Sequence, residues 1–266
     1  MAELSISRAW EETKTVLSRE GRLLSPVALG LVAIPVAVAN FFAPVVGNEA
    51  MTPGGWVAIL IVSLIVFATG YLALTRLAMF HQEEVRAAIR HAVSRLLPFL
   101  ASAVLITFAL ILCASLVAAA SAPNVTQLEQ LAVGALFLLL LVLSPLFGRL
   151  MLLGPVSVSE MGGPIHLIRR SWSLTRGYTF VLMGTFLLSI IALIILEIAV
   201  GFGSLMLAAV LFGPVSSLSA SKLVVALVAG LLRSVEFTII AAMLARIYLQ
   251  LAGRDSMDIG VPRSGT

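Results

Sequence analysis

The chain is 266 residues long, 60% hydrophobic and 11% charged, with a mean hydropathy of +1.10. Soluble domains run nearer 45–50% apolar and about 25% charged, so lipid rather than a buried core must solvate the excess. Seventeen Lys and Arg against 13 Asp and Glu give a net charge of +4. No recognition motif accompanies that charge, which excludes nucleic acid as the expected partner. The basic residues sit instead at the ends of apolar runs, where they orient helices and meet anionic lipid headgroups.

Six apolar stretches lie near residues 23–43, 56–79, 98–120, 131–153, 178–200 and 222–250. Each approaches or exceeds the roughly 20 residues that a helix needs to cross about 30 Å of hydrocarbon. Unpaired backbone groups cannot be left in lipid, so each is expected to be helical. The expected fold is all-α: one polytopic membrane domain over 1–253, built as a bundle of six transmembrane helices, with a short polar tail over 254–266. Ala37-Val38-Ala39 resembles a signal cleavage site, but the leader before it is long and carries Glu3, Glu11, Glu12 and Glu20. The first stretch is therefore read as a retained span.

The N-terminal segment 4–17 carries Ile6, Trp10 and Leu17 near one helical face, and Arg8, Lys14, Arg19 and Arg22 follow the same region. The first connection, 44–55, has no Lys or Arg and carries Glu49. The second holds Arg86, Arg90 and Arg95, with Arg76 just before it. Within it, Val85, Ala88, Ile89, Ala92, Val93, Leu96 and Leu97 mark one apolar face of a helix. The third connection, 121–130, has no basic residue and carries Glu129. The fourth holds Arg169, Arg170 and Arg176, with Arg149 before them; Ile165, Ile168 and Trp172 line one side of a helix, and Leu167 and Leu174 the other. The tail carries Arg254 and Arg263, and Lys222 is the one outer-side exception. This alternation puts both termini in the cytoplasm by the positive-inside rule.

The order recurs three times: a basic amphipathic helix on the cytoplasmic surface, a span, a short outer turn and a returning span. Three hairpins are thus expected, each preceded by an interfacial helix. Pro26, Pro98 and Gly177 mark the junctions where a helix is expected to bend or restart. Residues 201–221 contain Gly201, Gly203, Gly213 and Pro214 around Leu205–Phe212, a run too short to cross the membrane. It can extend the fifth span, lie on the outer surface or dip in and return, and a surface or capping segment is the favoured reading.

Groups able to do chemistry are scarce. Cys113 lies in an apolar run as a small hydrophobe, and His81, His91 and His166 stand on connections without ligand spacing. The two aspartates, Asp255 and Asp258, fall in the tail. No phosphate loop, dinucleotide fingerprint or zinc motif occurs, so neither enzyme activity nor a cofactor or metal is expected. Glu197, Arg233 and Glu236 stand out because they lie inside apolar runs, where each costs roughly 2.5–3.5 kcal/mol on insertion. They are read either as a packed ion pair pinning the last two spans or as a polar site for a solute or lipid head group. Ala226, Gly230, Ser234, Thr238 and Ala242 recur every four residues, a small-residue stripe for close helix packing within the bundle or between copies.

The stretch Arg169-Arg170-Ser171-Trp172-Ser173-Leu174-Thr175-Arg176-Gly177-Tyr178, with Ile6-Ser7-Arg8-Ala9-Trp10, resembles the glycerophosphoryl diester phosphodiesterase membrane-domain family and related bacterial inner-membrane proteins. The resemblance implies a membrane fold without activity, because the family's reaction belongs to a separate metal-dependent barrel for which this chain has neither the length nor the acidic ligands. Trp172 suits the membrane interface, Arg169, Arg170 and Arg176 suit phosphate headgroups, and Gly177 permits a sharp turn. The leading expectation is a non-enzymatic inner-membrane scaffold or partner subunit, in contact with membrane lipids and a protein partner. The competing one is a transporter or lipid-handling protein using the Glu197, Arg233 and Glu236 cluster.

Overall fold

A computed structural model describes residues 4–44, 54–80, 83–121, 146 and 148–253, with the side chains of 109–111 and 113–121 outside the description. The described elements are helices throughout. α1 (Ile6–Ala28), a π-helical turn (Leu29–Ala33) and α2 (Ile34–Phe42) form one 37-residue rod. There follow α3 (Gly55–Met79), α4 (Val85–Ser121), the short α5 (Leu153–Ser159), α6 (Pro164–Leu174), α7 (Thr179–Phe212) and α8 (Ala220–Leu251). Five helices among the described residues are long and apolar enough to cross a membrane: Ile6–Phe42, Gly55–Met79, Val85–Phe108, Thr179–Phe212 and Ala220–Leu251. Most of the expected fourth span, the connections carrying Glu49 and Glu129, His81, the side chain of Cys113 and the polar tail lie outside the described residues.

Two expected junctions are not breaks. Pro26 lies inside α1 and Pro98 inside α4, so each surface helix and its span are one continuous helix. A proline removes a single N–H from the ladder, and flanking turns carry the helix past it. In the first rod the ladder instead changes register at Leu29, whose carbonyl accepts from the Ile34 N–H five residues on. Gly177 does end a helix, with φ at +94°, a left-handed conformation that suits glycine. Two boundaries also move. The helical residues 148–150 give way to a turn at 151–152, so 153 opens the separate α5 instead of closing a span. Leu205–Phe212 continues α7, because nothing interrupts its backbone ladder before Gly213, at φ +84°. At about 1.5 Å per residue, the 34 residues of α7 are longer than the hydrocarbon is thick.

The dense core lies at the basic end. Ala9, Val16 and Leu24 of α1 meet Leu72–Met79 of α3, Ala88 and Ala92 of α4, Leu153–Val158 of α5 and Ala241–Leu249 of α8. On α1 and α4 the expected apolar face is only partly buried, and on α6 the buried side is that of Leu167. α1 turns Ala9, Thr13 and Val16 inward and leaves Trp10 outside, the Thr13 hydroxyl being satisfied by the Ala9 carbonyl at 2.7 Å. α6 buries Leu167 and Ser171, with Thr175 buried just past its end, whereas Ile165 and Trp172 face outward. On α4, Val93 and Leu97 point away from the core while Ala88 and Ala92 are fully buried.

α8 is the axis of the bundle, packing against the first rod, α3, α5 and α7. Two glycines allow this. A Cβ on Gly230 would collide with the Ala33 carbonyl oxygen and stand 3.0 Å from the Ala37 Cβ. A Cβ on Gly70 of α3 would stand 2.7 Å from the Leu31 Cβ and 2.8 Å from its carbonyl oxygen. The π turn is therefore gripped from two sides by bare backbone. Gly230→Leu is expected to lower stability by about 1–3 kcal/mol through overpacking. Gly184→Ala, which would meet nothing within 4 Å, is expected to leave it unchanged or slightly raised. Thermal unfolding of the two variants in one detergent checks both.

Candidate functional site

The three embedded charges come together. Arg233 reaches across from α8 to Glu197 on α7, with Nη2 at 2.5 Å from Oε1, and along its own helix to Glu236, with Nη1 at 3.1 Å from Oε2. The three-residue spacing of Arg233 and Glu236 places them one above the other on the helix surface. Their surroundings differ. The Glu236 side chain is 2% exposed and its Oε1 is buried without a hydrogen-bond partner among the described residues, whereas Glu197 is 42% exposed beside Ile198 and Phe202. In lipid, an exposed carboxylate among apolar side chains is costly unless paired, and Arg233 supplies the pairing. Two carboxylates share one guanidinium, so the fully ionised group carries an excess negative charge.

A crevice of about 500 Å³ opens beside Arg233, with Pro35, Val36, Asn40, Ser63, Leu64 and Phe67 among its walls. A second cavity of about 630 Å³ lies between α3 and α4, lined by apolar and aromatic side chains together with Thr107. The two share Leu64, Phe67 and Phe237 as a common wall, and Phe67 and Phe237 meet edge-to-face with centroids 4.7 Å apart. Both volumes fall within the usual range for small-molecule sites.

The serine–tryptophan–threonine motif forms a structural clamp. Ser171 Oγ donates to the Arg149 carbonyl at 2.7 Å. Thr175 Oγ1 donates to the Ser171 carbonyl at 2.9 Å. The Arg149 guanidinium lies 4.4 Å from the centre of the Trp172 ring, and its Nε donates to Thr179 Oγ1 at 3.1 Å. Arg149 is thus held by both sides of the turn at Gly177. Arg169 and Arg176 are exposed and Leu174 packs partly buried against the core. Arg170 is engaged differently: its Nε donates to Glu160 at 2.8 and 3.0 Å.

Glu160 is the centre of a polar network around α5 that the sequence reading missed. Its Oε1 also accepts from the Tyr248 hydroxyl at 3.1 Å. Next to it, the Val158 carbonyl accepts from Arg76 Nη1 at 3.4 Å and lies 2.9 Å from His91 Nε2, while Arg76 Nε bonds Glu83 at 2.8 Å. Arg246, buried near the end of α8, donates to the Ala78 carbonyl at 2.6 Å. A signal was present: Arg246 stands inside an expected span, as Arg233 does. Lys222, the exception to the charge alternation, is buried and donates to the Ala43 carbonyl at the end of α2, where the helix dipole favours a cation.

The small-residue stripe faces the first rod. Ala226, Gly230, Ser234 and Ala242 are buried, and Thr238 returns its hydroxyl to the Ser234 carbonyl at 2.6 Å. His166 lies outside these networks on the exposed side of α6. Comparison with protein-family models, curated proteins and solved structures returns no match to the chain.

Replacing Arg233 with Met leaves Glu236 buried without a cation and is expected to cost about 3–5 kcal/mol. The double variant Arg233→Met/Glu236→Leu is expected to recover much of that loss, and a double-mutant cycle on unfolding midpoints measures the difference. Ser171→Ala removes one buried bond to the Arg149 carbonyl. It is expected to cost about 1–2 kcal/mol, while Arg169→Ala on the exposed side costs less than about 0.5 kcal/mol.

Proposed function

We propose that the chain is a non-enzymatic inner-membrane protein, an envelope-associated scaffold or partner subunit, whose basic end faces the cytoplasm. On this reading it crosses the membrane six times as three hairpins, each led in by a basic interfacial helix, with both termini inside. Its resemblance to the glycerophosphodiesterase membrane-domain family extends to this membrane architecture and not to that family's reaction. No cofactor or metal enters the proposal.

One observation carries it: the ionisable side chains that reach the interior of the basic end tie one element to another. Arg170 and Tyr248 converge on Glu160, Arg76 binds Glu83 and the Val158 carbonyl, and Arg246 binds the Ala78 carbonyl. General acid–base or nucleophilic work needs a group free to exchange a proton or attack, and these are committed to holding helices together. Arg8, Lys14, Arg86, Arg90, Arg169 and Arg176 stay exposed on α1, α4, α6 and the turn that follows. There they suit anionic headgroups, at about 1 kcal/mol each near a charged leaflet.

Single cysteines placed at Asn48, Val125 and Ser216 in a Cys113→Ala background test the topology. Labelling of all three from the periplasmic side, with cysteines at Ser7, Glu84 and Arg176 labelled from the cytoplasm, is expected. The purified protein is further expected to release no product from glycerophosphodiesters or phospholipids. Hydrolysis that a single substitution abolishes would overturn the non-enzymatic reading.

A further inference from the structure

We propose that the crevice beside Arg233 and the cavity between α3 and α4 together seat one phospholipid, whose head carries both a phosphate and a primary ammonium group. The seat goes beyond the scaffold reading and does not depend on it.

Polarity is the first argument. The crevice offers Arg233, Asn40 and Ser63, while the neighbouring cavity presents Phe99, Val104 and Phe108 across the shared wall of Phe67 and Phe237. A polar space that adjoins an apolar one fits an amphiphile better than a soluble metabolite. Access is the second. Leu60, Leu64, Val104 and Phe108 at the rims are exposed on the surface that lipid would cover, so a chain can enter from the bilayer.

Charge selects the head. Arg233 lines the crevice, so a phosphate there meets its guanidinium, with the Asn40 amide and Ser63 hydroxyl close by. A purely anionic head would also meet the Glu197 carboxylate beside that guanidinium, and the two like charges repel. Glu197, in contact with Arg233 at 2.5 Å, is the more exposed of the two acids and faces the groove formed with Ile198 and Phe202. An ammonium group at Glu197 answers that carboxylate, so the zwitterionic head matches the cation and the anion in order. Glu236, 2% exposed, holds Arg233 in place from behind.

The test titrates the purified full chain in a non-ionic detergent with dioleoyl phosphatidylethanolamine and, separately, dioleoyl phosphatidylglycerol, counting bound lipid by native mass spectrometry. One ethanolamine lipid is expected to bind at least roughly tenfold more tightly than the glycerol lipid. Equal binding, or preference for the anionic lipid, would overturn the proposal. Glu197→Gln is expected to erase the preference, and Ala103→Trp, which fills the apolar cavity, to weaken binding of both lipids. Persistence of wild-type binding in a folded Ala103→Trp protein would overturn the seat. Should either variant fail to fold, Ser63→Leu fills the crevice without touching the ion pairs and is expected to abolish the preference; an unchanged preference counts against the site. Phosphoethanolamine without chains is expected not to compete. Effective competition by it would overturn the assignment to an amphiphile.

Discussion

The first rod and α8 come together at a place where neither can carry an ordinary side chain. The π turn at Leu29–Ala33 widens the backbone of the rod, and the Ala33 carbonyl points to where a Cβ on Gly230 would stand. Gly70 brings α3 against Leu31 of the same turn in the same way. In lipid there is little hydrophobic drive to push helices together, so contact depends on how closely backbones can approach. Three helices are locked at one level by two missing side chains. The crevice beside Arg233 lies next to that contact, with Pro35, Val36 and Asn40 of α2 as one wall and Ser63 of α3 as another.

A second kind of closure operates at the basic end. There the chain buries backbone carbonyls that helix geometry leaves free, and it answers them with side chains from distant segments. The Val158 carbonyl at the end of α5 takes Arg76 and His91, the Arg149 carbonyl takes Ser171, and the Ala78 carbonyl takes Arg246. Helix C-termini leave their last carbonyls unpaired, and cationic donors suit the partial negative charge there. Lys222 does the same for Ala43 at the far end of α2. Charges that a hydropathy reading assigns to lipid headgroups are in these cases spent on finishing helices.

This explains how much was legible in the sequence. The long apolar runs declared themselves because lipid permits only satisfied backbones, and α3 and α8 fall within a few residues of their expected ends. Glu197, Arg233 and Glu236 were legible because charge inside such a run has few explanations. Local punctuation read less well. Pro26 and Pro98 look like stops but sit where the helix can forgo one hydrogen bond, and the real irregularity at Leu29–Ala33 falls instead at Gly30 and just before Pro35, which has no N–H to return to Leu31. Faces misled for a related reason. Periodicity groups Trp10 with Ile6 and Leu17, but an aromatic side chain with a polar edge favours the interface, where Trp172 was also read; Thr13, Ser171 and Thr175 are buried with their hydroxyls paired locally. The network around α5 was illegible because its members, Arg170 and Tyr248 on Glu160 and Arg76 and His91 on the Val158 carbonyl, are scattered along the chain and only the fold brings them together.

Rigidity at the basic end and openness near Arg233 belong to one design. Helix ends are fixed around α5, and further along the bundle an apolar cavity lies between α3 and α4. Arg233 is preorganised by two acids, so a ligand's phosphate meets a guanidinium already in place and need not order it. The same two acids make the site reject what a lone arginine would attract. Selectivity between phospholipid heads then rests on the exposed Glu197 carboxylate beside Arg233, and not on the shape of the crevice, which is open on the lipid side.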